Sequence, residues 1–389
     1  MSDPPEPFTS HTDPDALDDL RARLRATRWP DAPGDSGWSL GTDVDYLREL
    51  VTYWADEFDW PAQEAALNGL PRFRLTLGGR GIHFVHARAA TQPAMPLVLT
   101  HGWPDSFWRY SKVVPLLTDP GAHGADPADA FDVVVPDVPG FGYSDAPIGP
   151  PINSIAVAGL WAELMSALGY ETFGAAGGDI GSHVSRYLAL DYPDRVVAVH
   201  RTDAGLPLFT GDPADLSPEE REWFASVATW GAAEGAYGAM HRTKPQTAAV
   251  GLNDSPAGLA SWIVEKLRGW SDCDCDGDIE QSFTKDEILT NVTIYWLTET
   301  IGSSMRMYSA NAAIPPAQLA RRVEIPSGFS IFHGDVVRPP RAWLERVTNA
   351  AYVTEPARGG HFAPFEEPEL YAQELRDFFR PYRSLAVQV

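Results

Sequence analysis

The stretch "TFGAAGGDIGSHVSRYLALDYP", residues 172–193, decides the fold because it joins a short apolar strand to an amphipathic helix through a glycine-rich turn. Gly177 and Gly181 stand two residues before and two residues after Asp179, where larger side chains would clash in a tight elbow. Such elbows mount a nucleophile above a sheet, which is the first interpretation of Asp179. The alternative is that Asp179 only caps the helix that begins near Ser182. The elbow alone leaves both roles open.

The sequence around this elbow alternates apolar strands with helices. Strands are predicted in "PLVLTHG", "FDVVVPDVPG", "VVAVHRT" and "GFSIFHGD", with a long helix in "IAVAGLWAELMSALG". This alternation predicts an α/β fold, a mostly parallel sheet with helices on both faces. The strand pattern lapses for about a hundred residues, which predicts a helical lid over the carboxyl edge of the sheet. The predicted parts are an N-terminal region (1–95), a first core segment (96–205), the lid (206–315) and a second core segment (316–389).

The composition limits the possible partners. The 389-residue chain has a formal net charge of -23, and this charge argues against binding nucleic acid. No run of about 20 apolar residues predicts a membrane span, and the start "MSDPPEPFTS" lacks the features of a signal peptide. Cys273 and Cys275 are separated by one residue and form no disulfide framework. We therefore expect a soluble, cytoplasmic protein without membrane contact.

Two further motifs supply partners for Asp179. The stretch "LTHGWPDSFWRY" follows a strand and resembles the loop that provides one oxyanion-hole amide in α/β-hydrolases, so the backbone N–H groups of Trp103 and Ile180 are the candidate donors. "RGGHFAPFEEPEL" places His361 after the last strand, and "IFHGDVV" places Asp335 at the end of the preceding one. The chain order of nucleophile, acid and histidine is the order expected for this fold.

A carboxylate in the nucleophile position changes the chemistry that is expected. An aspartate is already an anion at neutral pH, so it leaves the histidine free to activate a water that hydrolyses the resulting ester. The substrate should then carry an electrophilic carbon with a leaving group, either a halide or a strained epoxide oxygen. Halide calls for N–H donors, and Ile180 has none in its side chain, whereas the lid residues Tyr237 and Tyr308 could donate a proton to an epoxide oxygen. Each tyrosine taken singly could equally be a packed aromatic residue.

Long motifs resemble the microsomal-type epoxide hydrolases from about Phe8 to Phe379. They include "LRARLRATRWPD", "YWADEFDWPAQEAALN", "TKPQTAAVGLNDSPAGLASWIVEKL" and "RGGHFAPFEEPEL". The resemblance implies an α/β-hydrolase fold and a cofactor-independent epoxide hydrolase. It also implies the role of each candidate residue: Asp179 as nucleophile, His361 and Asp335 as the charge-paired base, and Tyr237 and Tyr308 as lid acids. Three departures concern the site: many members have Trp at the position of Ile180 and Gly at that of Asp105, and some have Glu at that of Asp335.

Two other functions stay open at this stage, a haloalkane dehalogenase-like hydrolase and a non-catalytic α/β-hydrolase-like binding protein. The lid is rich in aromatic residues, which favours a bulky or aromatic epoxide: Trp223, Trp230, Trp262 and Trp296. The candidate pocket residues are Trp103, Ile180, Trp230 and Phe362. Relatives of this type act in catabolism and in natural-product pathways, including enediyne biosynthesis. The association state is open, with a homodimer as one possibility.

Two patterns resemble metal sites, and both are interpreted as structural. "DCDCDGDIEQSF" begins like a calcium loop, but position twelve is Phe283 and not the glutamate that completes such a site. His83 and His86 have no neighbouring cysteine or carboxylate cluster in the sequence. No metal and no cofactor are therefore expected.

Overall fold

The computed structural model describes residues 4–34, 36–205, 208–273 and 277–386 of the chain. Within these ranges nine strands form one sheet in the order β1-β2-β3-β5-β4-β6-β7-β8-β9. The strands are β1 Glu6–Pro7, β2 Arg72–Leu77, β3 Arg80–Ala87, β4 Met95–Thr100, β5 Phe131–Pro136, β6 Phe173–Gly177, β7 Val196–Arg201, β8 Val323–Ser330 and β9 Thr348–Thr354.

Two regions of the sheet differ in strand direction. The first three strands pair antiparallel with their neighbours, and β3 is also antiparallel to β5. From β5 to β9 all neighbouring strands are parallel. Every residue of β4 and β5 is buried, as expected for parallel strands covered on both faces. The predicted α/β class is confirmed, and the N-terminal region adds an antiparallel edge to the sheet.

Helices cover both faces of the sheet, and several more form the lid. In the described ranges they are α1 Pro14–Arg25, α2 Val44–Asp56, α3 Trp60–Asn68, α4 Val113–Thr118, α5 Ser154–Ala167, α6 Ile180–Asp191, α7 Pro218–Ala233, α8 Ala236–Thr243, α9 Pro245–Asp254, α10 Pro256–Trp270, α11 Lys285–Leu297, α12 Ile301–Ala312, α13 Pro316–Leu319, α14 Arg341–Val347, α15 Ala363–Glu366, α16 Pro368–Phe379 and α17 Arg383–Ala386. None of the helices in the described part of the chain is long and apolar enough to cross a membrane.

The strand order fixes the place of the site. The chain leaves β4 toward β5 on one side and leaves β6 toward β7 on the other, so the winding of the sheet reverses between β4 and β6. Ligands of open α/β sheets bind in the crevice that such a reversal opens at the carboxyl ends of the strands. Asp179 follows β6 and Trp103 follows β4, which places both residues at this crevice.

The lid and the N-terminal region are attached to this crevice by polar contacts. In α11, Asn291 donates to the carbonyl of Pro104 at 2.7 Å and Tyr295 donates to that of Asp105 at 2.8 Å, which fixes the loop after β4 from above. In α12, Ser303 donates to the carbonyl of Gly140 at 2.6 Å. Tyr53 of α2 donates to the lid carboxylate of Asp286 at 2.8 Å. The lid is therefore fixed to both neighbouring regions.

Candidate active site

The turn between β6 and α6 holds Asp179 in a strained backbone conformation, with φ +57° and ψ -125°. The two flanking glycines make this turn possible, because a Cβ on Gly181 would lie 1.9 Å from the carbonyl oxygen of Thr100 and one on Gly177 would lie 2.7 Å from Gly181. The backbone N–H of Asp179 donates to Oδ2 of Asp203 at 2.8 Å. This hydrogen bond helps to hold the strained turn, and the Asp179 side chain itself makes no capping hydrogen bond to α6.

The loop after β4 approaches Asp179 closely. The backbone N–H of Trp103 donates to Oδ1 of Asp179 at 2.9 Å, and a Cβ on Gly102 would lie 2.4 Å from the Cβ of Asp179. Burial raises the pKa of Asp179, but His361 and the backbone N–H groups of Trp103 and Ile180 lower it to about 2. The N–H of Trp103, one of the two candidate donors, thus reaches the carboxylate, and Asp179 is an anion at neutral pH.

His361 lies between two carboxylates. Its Nδ1 is 2.9 Å from Oδ1 of Asp335, and its Nε2 is 3.6 Å from Oδ2 of Asp179. The longer distance exceeds that of a hydrogen bond, and Nε2 has no hydrogen-bond partner among the described residues. Burial lowers the pKa of His361, but the charges of Asp335 and Asp179 raise it to about 10. The resting side chain is therefore an imidazolium.

The backbone of His361 is fixed by the lid and by an arginine that the sequence interpretation missed. Its N–H donates to the carbonyl of Trp270 at 2.7 Å, and its carbonyl accepts a hydrogen bond from Nη2 of Arg109. Arg109 is buried and forms an ion pair with Asp105, four residues earlier. Asp105, where many members of the family have Gly, is thus the partner of a cation that holds the histidine loop.

Tyr237 of α8 and Tyr308 of α12 are in edge-to-face contact in the cavity wall, with ring centroids 6.0 Å apart and an interplanar angle of 79°. Trp103 stacks on Tyr237 at 5.4 Å and meets Tyr308 edge to face at 6.0 Å. Burial raises the pKa of both phenols, and the charge of Asp179 raises it further. Both hydroxyl groups consequently keep their protons at neutral pH.

A cavity of about 540 Å³ joins these groups. Its wall includes all five candidate catalytic side chains: Asp179, Tyr237, Tyr308, Asp335 and His361. Ile180 and Trp230, two of the four candidate pocket residues, also line it. The side chains of Trp103 and Phe362, the other two candidate pocket residues, are buried: Trp103 packs on the two tyrosines, and Phe362 packs on His361 and Trp270.

Several other candidates have structural partners away from the cavity. Of the four lid tryptophans named in the sequence analysis, Trp230 lines it, and so does a fifth, Trp270. Trp223 packs on Trp343, Trp262 donates to His241 at 3.2 Å, and Trp296 lies under Arg23. The buried His83 contacts Asp137 at 2.7 Å, while His86 contacts Tyr170 at 2.9 Å. His101, in the loop after β4, accepts the N–H of Val138 at 3.0 Å.

No group of three or more potential metal ligands occurs among the described residues. Part of the calcium-like pattern, Asp274 to Asp276, lies outside these residues, as does Cys275. Asp272 accepts the N–H of Gly359 at 2.9 Å, which ties this lid segment to the histidine loop, and Phe283 is buried.

Two family models match the chain. The model for the epoxide hydrolase N terminus matches residues 5–110, and the model for the alpha/beta hydrolase fold matches residues 95–242. A Stigmatella aurantiaca protein named "Putative epoxide hydrolase" is 42% identical over 382 residues, which cover 97% of this chain and 85% of the relative. "Epoxide hydrolase 1" of Sus scrofa is 35% identical over 406 residues, covering 96% of this chain and 88% of the relative.

Solved structures agree with these relatives. The epoxide hydrolase of Aspergillus niger superposes with a TM-score of 0.86 at 30% identity, covering 98% of this chain and 97% of that one. The juvenile hormone epoxide hydrolase of the silkworm Bombyx mori superposes with a TM-score of 0.85 at 27% identity, covering 98% and 95%.

Because a strained residue at a strand-to-helix turn faces a histidine from the loop after the last strand, fold and site together define an α/β-hydrolase. The relatives narrow this class. The chain belongs to the epoxide hydrolase family, and its activity is the hydrolysis of epoxides.

Proposed function

We propose that this enzyme converts an epoxide to a vicinal diol through a covalent ester on Asp179. The observation that carries this proposal is that the two carboxylate oxygens of Asp179 have different surroundings. Oδ1 accepts the N–H of Trp103, whereas Oδ2 faces the unpartnered Nε2 of His361. Oδ2 is therefore the oxygen free to attack carbon, and Oδ1 is already placed to become the oxyanion.

In the first step Oδ2 forms a bond to an epoxide carbon, and the bond from that carbon to the epoxide oxygen breaks. The electron pair goes to this oxygen, which takes a proton from Tyr237 or Tyr308. A proton donor is needed here because an alkoxide is a poor leaving group in a buried site. Because the pKa of both phenols is raised, each tyrosine enters the reaction protonated and readily recovers its proton afterwards.

Alkylation then changes the state of His361. The ester carries no charge, so one of the two carboxylates that hold the imidazole in its protonated form is lost. The pKa of His361 falls, and the proton that it releases restores the phenol. The sum of these transfers is a neutral ester, a hydroxyl group on the second carbon and a neutral imidazole.

In the second step the neutral His361 takes a proton from a water molecule that attacks the ester carbonyl. The backbone N–H groups of Trp103 and Ile180 stabilise the oxyanion, and the intermediate collapses by expelling the diol oxygen, which receives the proton from His361. Asp335 stabilises the imidazolium through its 2.9 Å contact to Nδ1. The neutral acid form of Asp179 left by this collapse then gives its proton to His361, which restores the carboxylate and the imidazolium of the resting site. Water and epoxide are consumed, and Asp179 is regenerated.

The cavity supports a bulky or aromatic epoxide as substrate. Its volume of about 540 Å³ is within the range of about 300–1,000 Å³ typical of sites for drug-sized molecules. Six tyrosine and tryptophan side chains line it: Tyr187, Trp230, Tyr237, Trp270, Tyr308 and Trp343. A panel of aryl and alkyl epoxides with chiral analysis of the diols should show the highest kcat/KM for aryl members. Equal rates for small alkyl epoxides would contradict this assignment.

A single turnover in heavy-oxygen water, with enzyme in excess, tests the mechanism. If Asp179 attacks carbon, the first diol takes its new oxygen from the carboxylate, so the diol is unlabelled and the label enters Asp179. Mass analysis of the diol and of the peptide spanning residues 174–186 measures both products. Label in the diol of the first turnover would mean that water attacks the epoxide directly, and the ester mechanism would then be wrong.

A further inference from the structure

One arginine on the cavity wall lacks hydrogen-bond partners. Arg201 is the last residue of β7, and its Cα is paired with that of Gly177, two residues before the elbow aspartate. The side chain lines the same cavity as Asp179 although it is only 1% exposed. Two of its three nitrogens, Nε and Nη2, have no hydrogen-bond partner among the described residues. Such unpaired buried donors are costly, so they call for an explanation.

Three of the other four arginines of this wall are paired, and the fourth, Arg242, is exposed to solvent. Arg346 contacts both carboxylate oxygens of Glu220, at 2.7 and 2.8 Å. Arg322 forms an ion pair with Glu324, and Arg186 donates to the carbonyl of Leu319 at 2.9 Å. Lack of partners is therefore not a general property of the arginines in this region.

The nearest carboxylate does not pair with Arg201. Asp203, two residues later, accepts the N–H of Asp179 through Oδ2 and the N–H of Gly205 through Oδ1. Both of its oxygens are thus engaged by the elbow and its neighbouring loop. Burial, and next the charge of Arg186, lowers the pKa of Arg201 to about 9, so an anion beside it would relieve an unfavourable charge.

The two free nitrogens have a defined geometry. Nε and Nη2 lie on the same edge of the planar guanidinium, and their N–H bonds match the two oxygens of a carboxylate. The guanidinium lies over the ring of Phe329 at 4.6 Å, which supports its plane from one side. The protein's net charge of -23 repels anions in general, so a preference for an anion must arise from a local site of this kind.

We propose that Arg201 forms a substrate subsite that binds a carboxylate on the epoxide, at a distance from the reacting ring. This inference rests on the proposed function, because it concerns the same cavity. It names the substrate class as aryl or bulky epoxides with an acidic side group. The Arg201 subsite takes no part in the reaction itself. Asp179, His361 and the lid tyrosines act on the epoxide whether or not the substrate carries a carboxylate.

The test compares the para and meta isomers of (oxiran-2-yl)benzoate with the corresponding benzamides, which are neutral and nearly isosteric. For the wild-type enzyme we expect kcat/KM to be at least about tenfold higher for the better carboxylate than for its amide, as two charge-assisted hydrogen bonds imply. Arg201→Met should reduce this ratio to near one. Arg338→Met, which removes an exposed positive charge that does not line the cavity, is the matched control and should keep the ratio.

Three results would overturn the subsite: no carboxylate preference in the wild type, a preference that survives Arg201→Met, or an equal loss in the Arg338→Met control. If Arg201→Met does not fold, Arg201→Lys takes its place. This variant keeps the charge but not the two-pronged geometry, and an unchanged ratio would again exclude the subsite. Competitive inhibition by benzoate against benzamide gives the same comparison, and turnover of unsubstituted styrene oxide reports separately on the proposed function.

Discussion

Replacing His361 with Gln should separate the two steps of the reaction. At an effective dielectric constant of about 20, two unit charges 3.6 Å apart attract each other by about 4–5 kcal/mol, and about 1.4 kcal/mol corresponds to one pKa unit. Losing the imidazolium raises the pKa of Asp179 from about 2, but by this magnitude it stays below 7. The carboxylate is still ionised at neutral pH and still able to attack.

Ester hydrolysis, in contrast to attack by Asp179, should be slowed in this variant, because the variant lacks the base that activates water. General bases contribute about 10²–10⁴ to the rate, so turnover should fall by at least about a hundredfold while one equivalent of adduct accumulates. Intact-protein mass spectrometry after addition of styrene oxide measures the adduct, and Asp179→Asn is the control that should form none. Unchanged turnover, or slow turnover without any adduct, would refute this division between attack and hydrolysis.

Further predictions concern the acids, the arginine and the histidine. Tyr237→Phe and Tyr308→Phe should each slow adduct formation by about tenfold or more, and the double variant should lose far more; a double variant with wild-type rates would exclude both phenols as proton donors. Arg109→Met leaves Asp105 buried without its partner and should reduce the free energy of unfolding, measured with urea, by about 3–5 kcal/mol, and a loss below about 1 kcal/mol would contradict the inferred ion pair. Although burial lowers the pKa of His361, its carboxylate neighbours raise it to about 10, so the stability they contribute is fully present below about pH 6.5 and is lost as the pH rises through 10. Urea unfolding between pH 6 and 10 should show this decline in the wild type and not in His361→Gln, and equal slopes would argue against a resting imidazolium.

The parts of the site that the sequence predicts are those encoded by local spacing. The elbow can be predicted from the sequence because two glycines flank Asp179 between an apolar strand and a helix. In the structure both glycines have the close backbone contacts that such a turn requires. His361 and Asp335 can be predicted from their order after the last two strands of the sheet. The structure places Nδ1 of His361 2.9 Å from Oδ1 of Asp335. A catalytic role for the two lid tyrosines is predicted only with the help of the resemblance to a family, because the local sequence around an aromatic residue in a helical lid does not indicate its function.

The missed features depend on pairs of residues that are distant in sequence. Arg109 acts on His361 across 252 positions, and nothing in its local pattern indicates that contact. Trp223 and Trp230 belong to the same helix, yet only Trp230 faces the cavity, since the packing of α7 on α14 decides which face is covered. Strand β1 has only two residues, too few for a period to be read. Asp203 could have been predicted from the sequence, because it follows β7 at the carboxyl edge of the sheet, where ligands bind.

The arrangement of charge around the elbow is suited to both steps of the proposed mechanism. A carboxylate that is buried near a neutral histidine would be costly, whereas a carboxylate facing an imidazolium is stabilised and has a pKa of about 2. The same imidazolium cannot accept a proton from water until its charge partner disappears. In the proposed mechanism, ester formation removes that partner, so the attack itself creates the base needed for hydrolysis, and the contact of Asp335 with Nδ1 keeps the imidazole oriented in both states. A serine at this turn would need the neutral histidine from the start, and this is the physical reason that an aspartate at position 179 goes with carbon electrophiles and a free histidine.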